Sequence, residues 1–446
     1  MIHYSSSATT HIASLHIEAR AVNPLSRMFQ RALGEALDRL EAQRPLAGVV
    51  VSFDSAAPAA EHAFAHLIAL TPQQAGDCMA MLASYHQLLR RLETLGRTVV
   101  ATLAGDIDGH ALGLALACHR RYALRHISLS MAQVDSGLTP SGGALVRCVR
   151  GIGLRAALPL LTEGLACEAD AARQAGLLHG VAGDAAQLLA LARAAIAGAD
   201  APLQPWDAPH YRMPGGTPAS APLQALLASA PAQLRQRTGG HYPAPEAVLC
   251  AMVEGAQVDF ASALLIEGRY FCHIAGGRVA KHLMRLNQLR RAAPARDGAF
   301  AAALRAAHQG ELAQLRRDGL APALINNAAR AAGMRAAPPQ PEPAAPAGAA
   351  GPPPSCADAR DRLLYGQCAA ALAALRRADA PTPAQADLLS VDQCGFPAFT
   401  GGALAFIAEL GADAFGARAA ALAARYGARF APPADWQLLT QTYNFN

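Results

Sequence analysis

Lysine is nearly missing: Lys281 is the single one in 446 residues, and the rest of the 38 basic residues are arginine. These arginines are scattered rather than gathered in one stretch, so the formal charge of +5 does not describe a nucleic-acid face. Nine cysteines are present, at 78, 118, 148, 167, 250, 272, 356, 368 and 394, but none forms a CxxC pair or a Cys/His ligand spacing. That pattern argues against a metal site and against a disulfide framework. Cys118 and Cys148 lie inside apolar segments and read as buried core thiols. No run of 18 apolar residues occurs, so no membrane span is expected. The opening MIHYSSSATTH has neither a basic start nor an apolar core. The expectation is a soluble protein of a reducing, cytoplasmic compartment.

What is there is a chain with 52% apolar residues, enough for sizeable cores and for two or three domains. Up to about residue 200, short apolar runs such as Ala47–Phe53 and Thr98–Leu103 alternate with helical patterns such as Leu25–Leu40. This alternation predicts an α/β layer structure. Residues 184–335 carry no strand signal and read as helices, broken at Pro202–Pro222 and at a turn over His241–Pro245. Ala336–Pro354 has eight prolines in nineteen residues, which excludes a helix interior or a sheet and predicts a linker. Beyond it Ala357–Ala378 and Ala412–Tyr426 read as helices, with the Gly/Pro-punctuated DQCGFPAFTGG between them.

Two segments carry a resemblance. Val99–Ala123 (VVATLAGDIDGHALGLALACHRRYA) and Leu129–Gly153 (LSMAQVDSGLTPSGGALVRCVRGIG) resemble the signature of the crotonase, or enoyl-CoA hydratase/isomerase, superfamily, and Leu160–Ala182 extends the likeness. The implied fold is α/β: a crotonase-like spiral domain over residues 1–195. Residues 196–295 then form a helical linker region, in which HYPAP and the Glu267-centred LLIEGRYF resemble the linker of multifunctional fatty-acid oxidation enzymes. Thr382–Pro433 resembles the last helical domain of their 3-hydroxyacyl-CoA dehydrogenase half. The implied domain plan continues with a reduced dehydrogenase-type segment (296–335), the Pro/Ala-rich linker (336–355) and an all-α C-terminal domain (356–446). No GxGxxG turn follows a strand between residues 280 and 356, and the interval is too short for a dinucleotide-binding domain. The family's Asn-Glu pair falls on Ala369 and Ala370. Neither NAD binding nor dehydrogenase activity is therefore expected, and no cofactor beyond the coenzyme A of a substrate.

The resemblance also places a thioester site. Members of the superfamily hold the thioester oxygen with two backbone N–H groups, one at a helix N-terminus. By alignment His110 supplies that one, framed by Gly109 and Ala111. Glu61 occupies the place of the second donor, within Ala56–Phe64, where Ala60, Glu61 and His62 replace a Gly-Ala-Asp turn. In a hydratase the positions of Gly113 and Gln133 carry the two catalytic glutamates, and here both carboxylates are absent. Glu61, His62, His110 and Asp135 are the candidate substitute acids and bases, and Gly137, Pro140, Gly142 and Gly143 shape the turn into the next helix.

Two functional classes follow. One is a divergent enzyme acting on an acyl-CoA or acyl-carrier thioester through enolate stabilisation, with a specialised enzyme on a tethered acyl chain as a variant. The other is a non-catalytic acyl-CoA-binding or assembly subunit that partners a thiolase-like enzyme or a second copy of itself.

Overall fold

Ile12–Ile17 (β2) alternates outward and inward, burying Ala13, Leu15 and Ile17, and the strand before it, Ile2–Ser6 (β1), covers its outer edge in antiparallel register. Sequence reading assigned neither strand, because serine and histidine dilute their apolar pattern. The runs that did read as strands, Gly48–Phe53 (β3) and Thr98–Leu103 (β4), are buried nearly throughout. That is the signature of central parallel strands covered on both faces. They pair in register, Val50 opposite Val100. Helix α1 (Arg27–Ala42) joins β2 to β3, and α2 (Ala65–Ile68) and α3 (Ala75–Glu93) precede β4. The structure is a computed structural model that describes every residue except 55–64, 199–201, 293–297, 335–352 and 441–446.

A second, smaller sheet begins where β4 ends. β5 (Ile107–Asp108) leads directly into α4 (Gly109–Leu116), followed by β6 (Arg120–Leu124), β7 (Ser128–Ser130), α5 (Ala144–Thr162), β8 (Cys167–Glu168), α6 (Ala169–Ala175), β9 (Gly180–Ala182) and α7 (Ala185–Ala197). The large sheet has the order β1-β2-β3-β4-β6-β9 and the small one β5-β7-β8. The chain thus winds between two sheets, with α4 and α5 between strands of both. The α/β class expected of the first 195 residues is present, and Cys118 and Cys148 are fully buried in its core.

Helices follow: α8 (Ala221–Thr238), α9 (Pro243–Gly255), α10 (Phe260–Ala275) and α11 (Arg278–Ala292). His241–Pro245, read as a turn, is instead a helix start. Pro243 occupies the first position of α9, where its missing N–H costs no hydrogen bond. The chain divides into two units, one of Met1–Arg237 with Tyr242–Ala280, the other of Thr238–His241 with Lys281–Asn446. The division falls within α11, so residues 196–295, read as one region, contribute to both. Val248 and Met252 of α9 and Leu264 and Ile274 of α10 belong to the same hydrophobic core as Leu15 and Val99.

In the second unit α12 (Gly298–Arg317), α13 (Pro322–Ala331), α14 (Cys356–Ala374), α15 (Pro383–Asp392), α16 (Ala403–Leu410), α17 (Ala412–Tyr426) and α18 (Trp436–Thr440) surround a core that includes Phe300, Leu304, Leu363, Phe415 and Phe430. Among the described residues this unit contains no strand. Arg362, fully buried, is paired with Glu311 at 2.5 Å and Asp318 at 2.7 Å and lies over the Tyr426 ring. Across the GFPAFTGG loop (395–402), the buried Asp387 carboxylate of α15 accepts the Leu404 and Ala405 N–H groups at the start of α16. Gly402, at φ 119°, lies so close to Asp387 that a Cβ there would fall 2.5 Å from its side chain. Among the described residues no helix is long and apolar enough to cross a membrane.

Candidate functional site

The site grows from the junction of β5 and α4. Asp108 ends β5, and its Oδ1 accepts the Ser130 hydroxyl at 2.9 Å and the Ala132 N–H at 3.2 Å. These bonds hold the short helical turn Ala132–Ser136 against the start of α4. Gly109 turns the chain at φ 55°, and a Cβ there would come within 3.1 Å of Gln133 Nε2. Glycine is thus required both by the left-handed backbone and by the close approach of the Gln133 amide. The first N–H groups of α4, on Gly109, His110 and Ala111, have no intrahelical acceptors and lie at the positive end of the helix dipole.

Facing them is the loop from Gly137 to Gly143. Gly137 at φ 72° closes the 132–136 turn, and Thr139 and Ser141 are buried. Gly142 (φ 71°) passes Tyr85 and Pro24 so tightly that a Cβ would fall 2.9 Å and 2.8 Å from them. Ser141 Oγ lies 3.1 Å from His110 Nε2. Burial, helped by the nearby His66, pulls the His110 pKa down to about 4, so its imidazole is neutral near pH 7. Close by, both polar atoms of the Gln133 amide and the Thr139 hydroxyl are buried without a hydrogen-bond partner. These groups are available to hydrogen-bond a polar molecule.

The loop is anchored from α10. The Glu267 carboxylate accepts the N–H of Gly143 at 2.6 Å and that of Val146 at 3.0 Å, capping α5. Burial pushes its pKa up to about 7 despite those bonds and the neighbouring Arg147. Arg147, also fully buried, donates to Glu93 at 2.7 Å, and Glu93 in turn accepts from Arg90, which pairs with Asp207. The Phe260 ring is shared by Arg90, Arg147 and Trp206.

Several expected residues fall elsewhere. Gly113 is on the buried face of α4, where a Cβ would meet the Ala144 Cβ at 2.8 Å, so this position has no room for a carboxylate side chain. Asp135 is exposed and not joined to the His110–Ser141 pair; partial burial and the Asp108 carboxylate raise its pKa. Glu61 and His62 lie outside the described residues. His110, Gly109, Ala111, Gln133, Gly137 and Pro140 do converge at the start of α4 and the facing loop. Ser141 and Glu267 were not singled out as functional; an ionisable residue in the apolar stretch ALLIEG was the available signal for the second. An open cavity of about 800 Å³ between α3 and α10, walled by Met79, Ile266 and Tyr270, includes none of these polar groups. Among the described residues no cluster of side chains suits a metal ion.

Residues 7–200 match the family model for enoyl-CoA hydratase/isomerase. Among curated proteins, the fatty acid oxidation complex subunit alpha of Shewanella loihica is 27% identical over 265 residues, covering 58% of this chain and 37% of the relative. That of Shewanella baltica is 26% identical over 277 residues, covering 61% and 38%. The chain thus spans less than two-fifths of the length of these relatives. Among solved structures, an enoyl-CoA hydratase from Bacillus halodurans superposes with a TM-score of 0.45 at 15% identity, covering 64% of this chain and 98% of that one.

Proposed function

Starting from the match of residues 7–200 to the enoyl-CoA hydratase/isomerase family model, we propose that the site at the start of α4 binds an acyl thioester of coenzyme A and polarises its carbonyl. The observation that carries this reading is the Gln133 amide, buried and unpartnered beside the first turn of α4, whose N–H groups have no intrahelical acceptor. A helix N-terminus stabilises negative charge developing on oxygen, and backbone donors survive changes of side chain. Gly109, at the turn, and the loop through Gly137 and Pro140 border this helix start. No dinucleotide belongs to this reading.

Ordinary hydration of an enoyl thioester is not part of it either. A positioned acid or base typically contributes ~10²–10⁴ in rate, and the Gly113 and Gln133 positions supply no carboxylate. A second reading, an assembly subunit partnering a thiolase-like enzyme, draws on the relatives' own names, which make them subunits of a complex. Calorimetric titration of the full chain with a non-cleavable butyryl-CoA thioether tests the first reading. Saturable binding is expected, and its absence at millimolar ligand overturns the reading.

A further inference from the structure

The two hydratase carboxylates have no counterpart at Gly113 and Gln133, yet the same helix start carries a side-chain pair of a different chemical kind. We propose that Ser141 and His110 form a nucleophile and its general base, which cleave the bound thioester by transferring its acyl group through a Ser141 ester to water. This rests on the thioester reading of the site. The Oγ to Nε2 distance of 3.1 Å is within the reach that activates a serine.

Four further observations bear on it. Ser141 is held still: Pro140 precedes it, the tightly packed Gly142 follows, and Glu267 fixes the next turn through Gly143. His110 is kept neutral by burial at physiological pH, the state a base requires. The backbone N–H of His110 is among the free donors of α4, so the carbonyl oxygen bound there places its carbon near the facing loop. The unpartnered Gln133 amide lies beside Gly109 and the unpartnered Thr139 hydroxyl is two residues before Ser141, and both offer donors and acceptors to a polar group. The other titratable group acting on His110 is His66, an exposed histidine.

The chemistry balances without an additional cofactor. The Ser141 hydroxyl gives its proton to His110 Nε2 as Oγ bonds to the thioester carbon; the C–S bond then breaks, and the sulfur leaves as a thiol with that proton. In the second half water gives a proton to His110 while its oxygen bonds to the ester carbon. The C–Oγ bond breaks, Ser141 recovers its proton, and a free carboxylic acid departs.

The test uses the full-length protein. Butyryl-CoA is mixed with the wild type, thiol release is followed with a chromogenic disulfide, and quenched samples are analysed by intact mass and peptide mapping. Thioether binding is measured on the same preparation. The expected result is CoA release, a butyryl adduct on the peptide containing Ser141, and a loss of release of about 100-fold or more in Ser141→Ala and His110→Ala. Ser141→Cys is expected to retain the adduct as a thioester, which a merely structural hydroxyl would not do. The acid limb of the pH–rate profile is expected near 4 rather than at the ordinary histidine value. If the thioether binds but no CoA release or adduct forms, or if Ser141→Ala releases CoA as fast as the wild type, the nucleophile is refuted while thioester binding stands. If the thioether does not bind, both proposals fall.

Discussion

Gly113 shows how a single missing side chain is fixed by its neighbour. Placing a glutamate there puts its Cβ 2.8 Å from that of Ala144, a contact folded proteins do not tolerate. Gly113→Glu is therefore expected to destabilise the protein by about 1–3 kcal/mol, the usual cost of overpacking. Adding Ala144→Gly removes the opposing methyl and should restore most of that loss, as read by urea denaturation. Equal stability of Gly113→Glu and the wild type would mean that α4 and α5 are packed less tightly than described. At this scale the sequence offered His110 among its candidate acids and bases but was silent about the partner of that imidazole. The identities of Gly113 and Gln133 state directly that no carboxylate is present. The pairing of Ser141 with His110 joins residues 31 apart, and nothing in either local pattern announces it.

Among the elements, α10 stands out because it carries an ionisable group into the core of a domain formed mostly from residues before 200. The folded protein holds the Glu267 proton up to about pH 7, whereas an ordinary glutamate releases it near 4.5. Between those values the folded state binds the extra proton, so this group's contribution to stability is complete below pH 4.5 and is lost as pH rises through 7. The span corresponds to about 3 kcal/mol. Glu267→Gln removes the titration, and His86, His110 and His119, held neutral by burial, titrate alike in both proteins. The stability advantage of wild type over Glu267→Gln should accordingly shrink by roughly that amount between pH 4.5 and 8. An advantage that is constant with pH, or grows, contradicts this account of Glu267. Helix and strand positions were otherwise largely legible: β3, β4, α1 and the C-terminal helices followed their apolar periods. β1 and β2 were not, since alternation interrupted by Ser5, Ser14 and His16 lacks the apolar contrast by which strands are read. The start of α9 was misread because proline marks both a turn and the first position of a helix.

For the whole molecule, two hydrophobic cores matter more than five sequence segments. The first core draws Leu264 and Ile274 from α10, well beyond the last strand. A fragment ending at residue 200, where the family match stops, would leave that core open and Gly143, Val146 and Arg147 without their α10 neighbour. It should therefore aggregate or bind a hydrophobic dye, while a fragment ending at Ala280 should unfold cooperatively on heating. A cooperative, dye-free 1–200 fragment would show α9 and α10 to be accessories. The boundary was not readable from composition, because α9 and α10 look like any amphipathic helices until their partners are known.

The bond between Gly143 and Glu267 spans 124 residues, and that separation is also a delay. At the usual 5–20 residues added per second, a ribosome that has just made the loop needs about 6–25 s more to make its anchor. During that interval the start of α5 has no carboxylate to cap it, and the Ser141 hydroxyl has no fixed address. The 137–143 loop can thus take its final shape only after α10 has left the exit tunnel, so the nascent chain passes through a stage in which the sheets can form but this loop is not anchored. Translation slowed between residues 200 and 280 would lengthen that vulnerable stage and recruit chaperones to a domain whose strands were already complete.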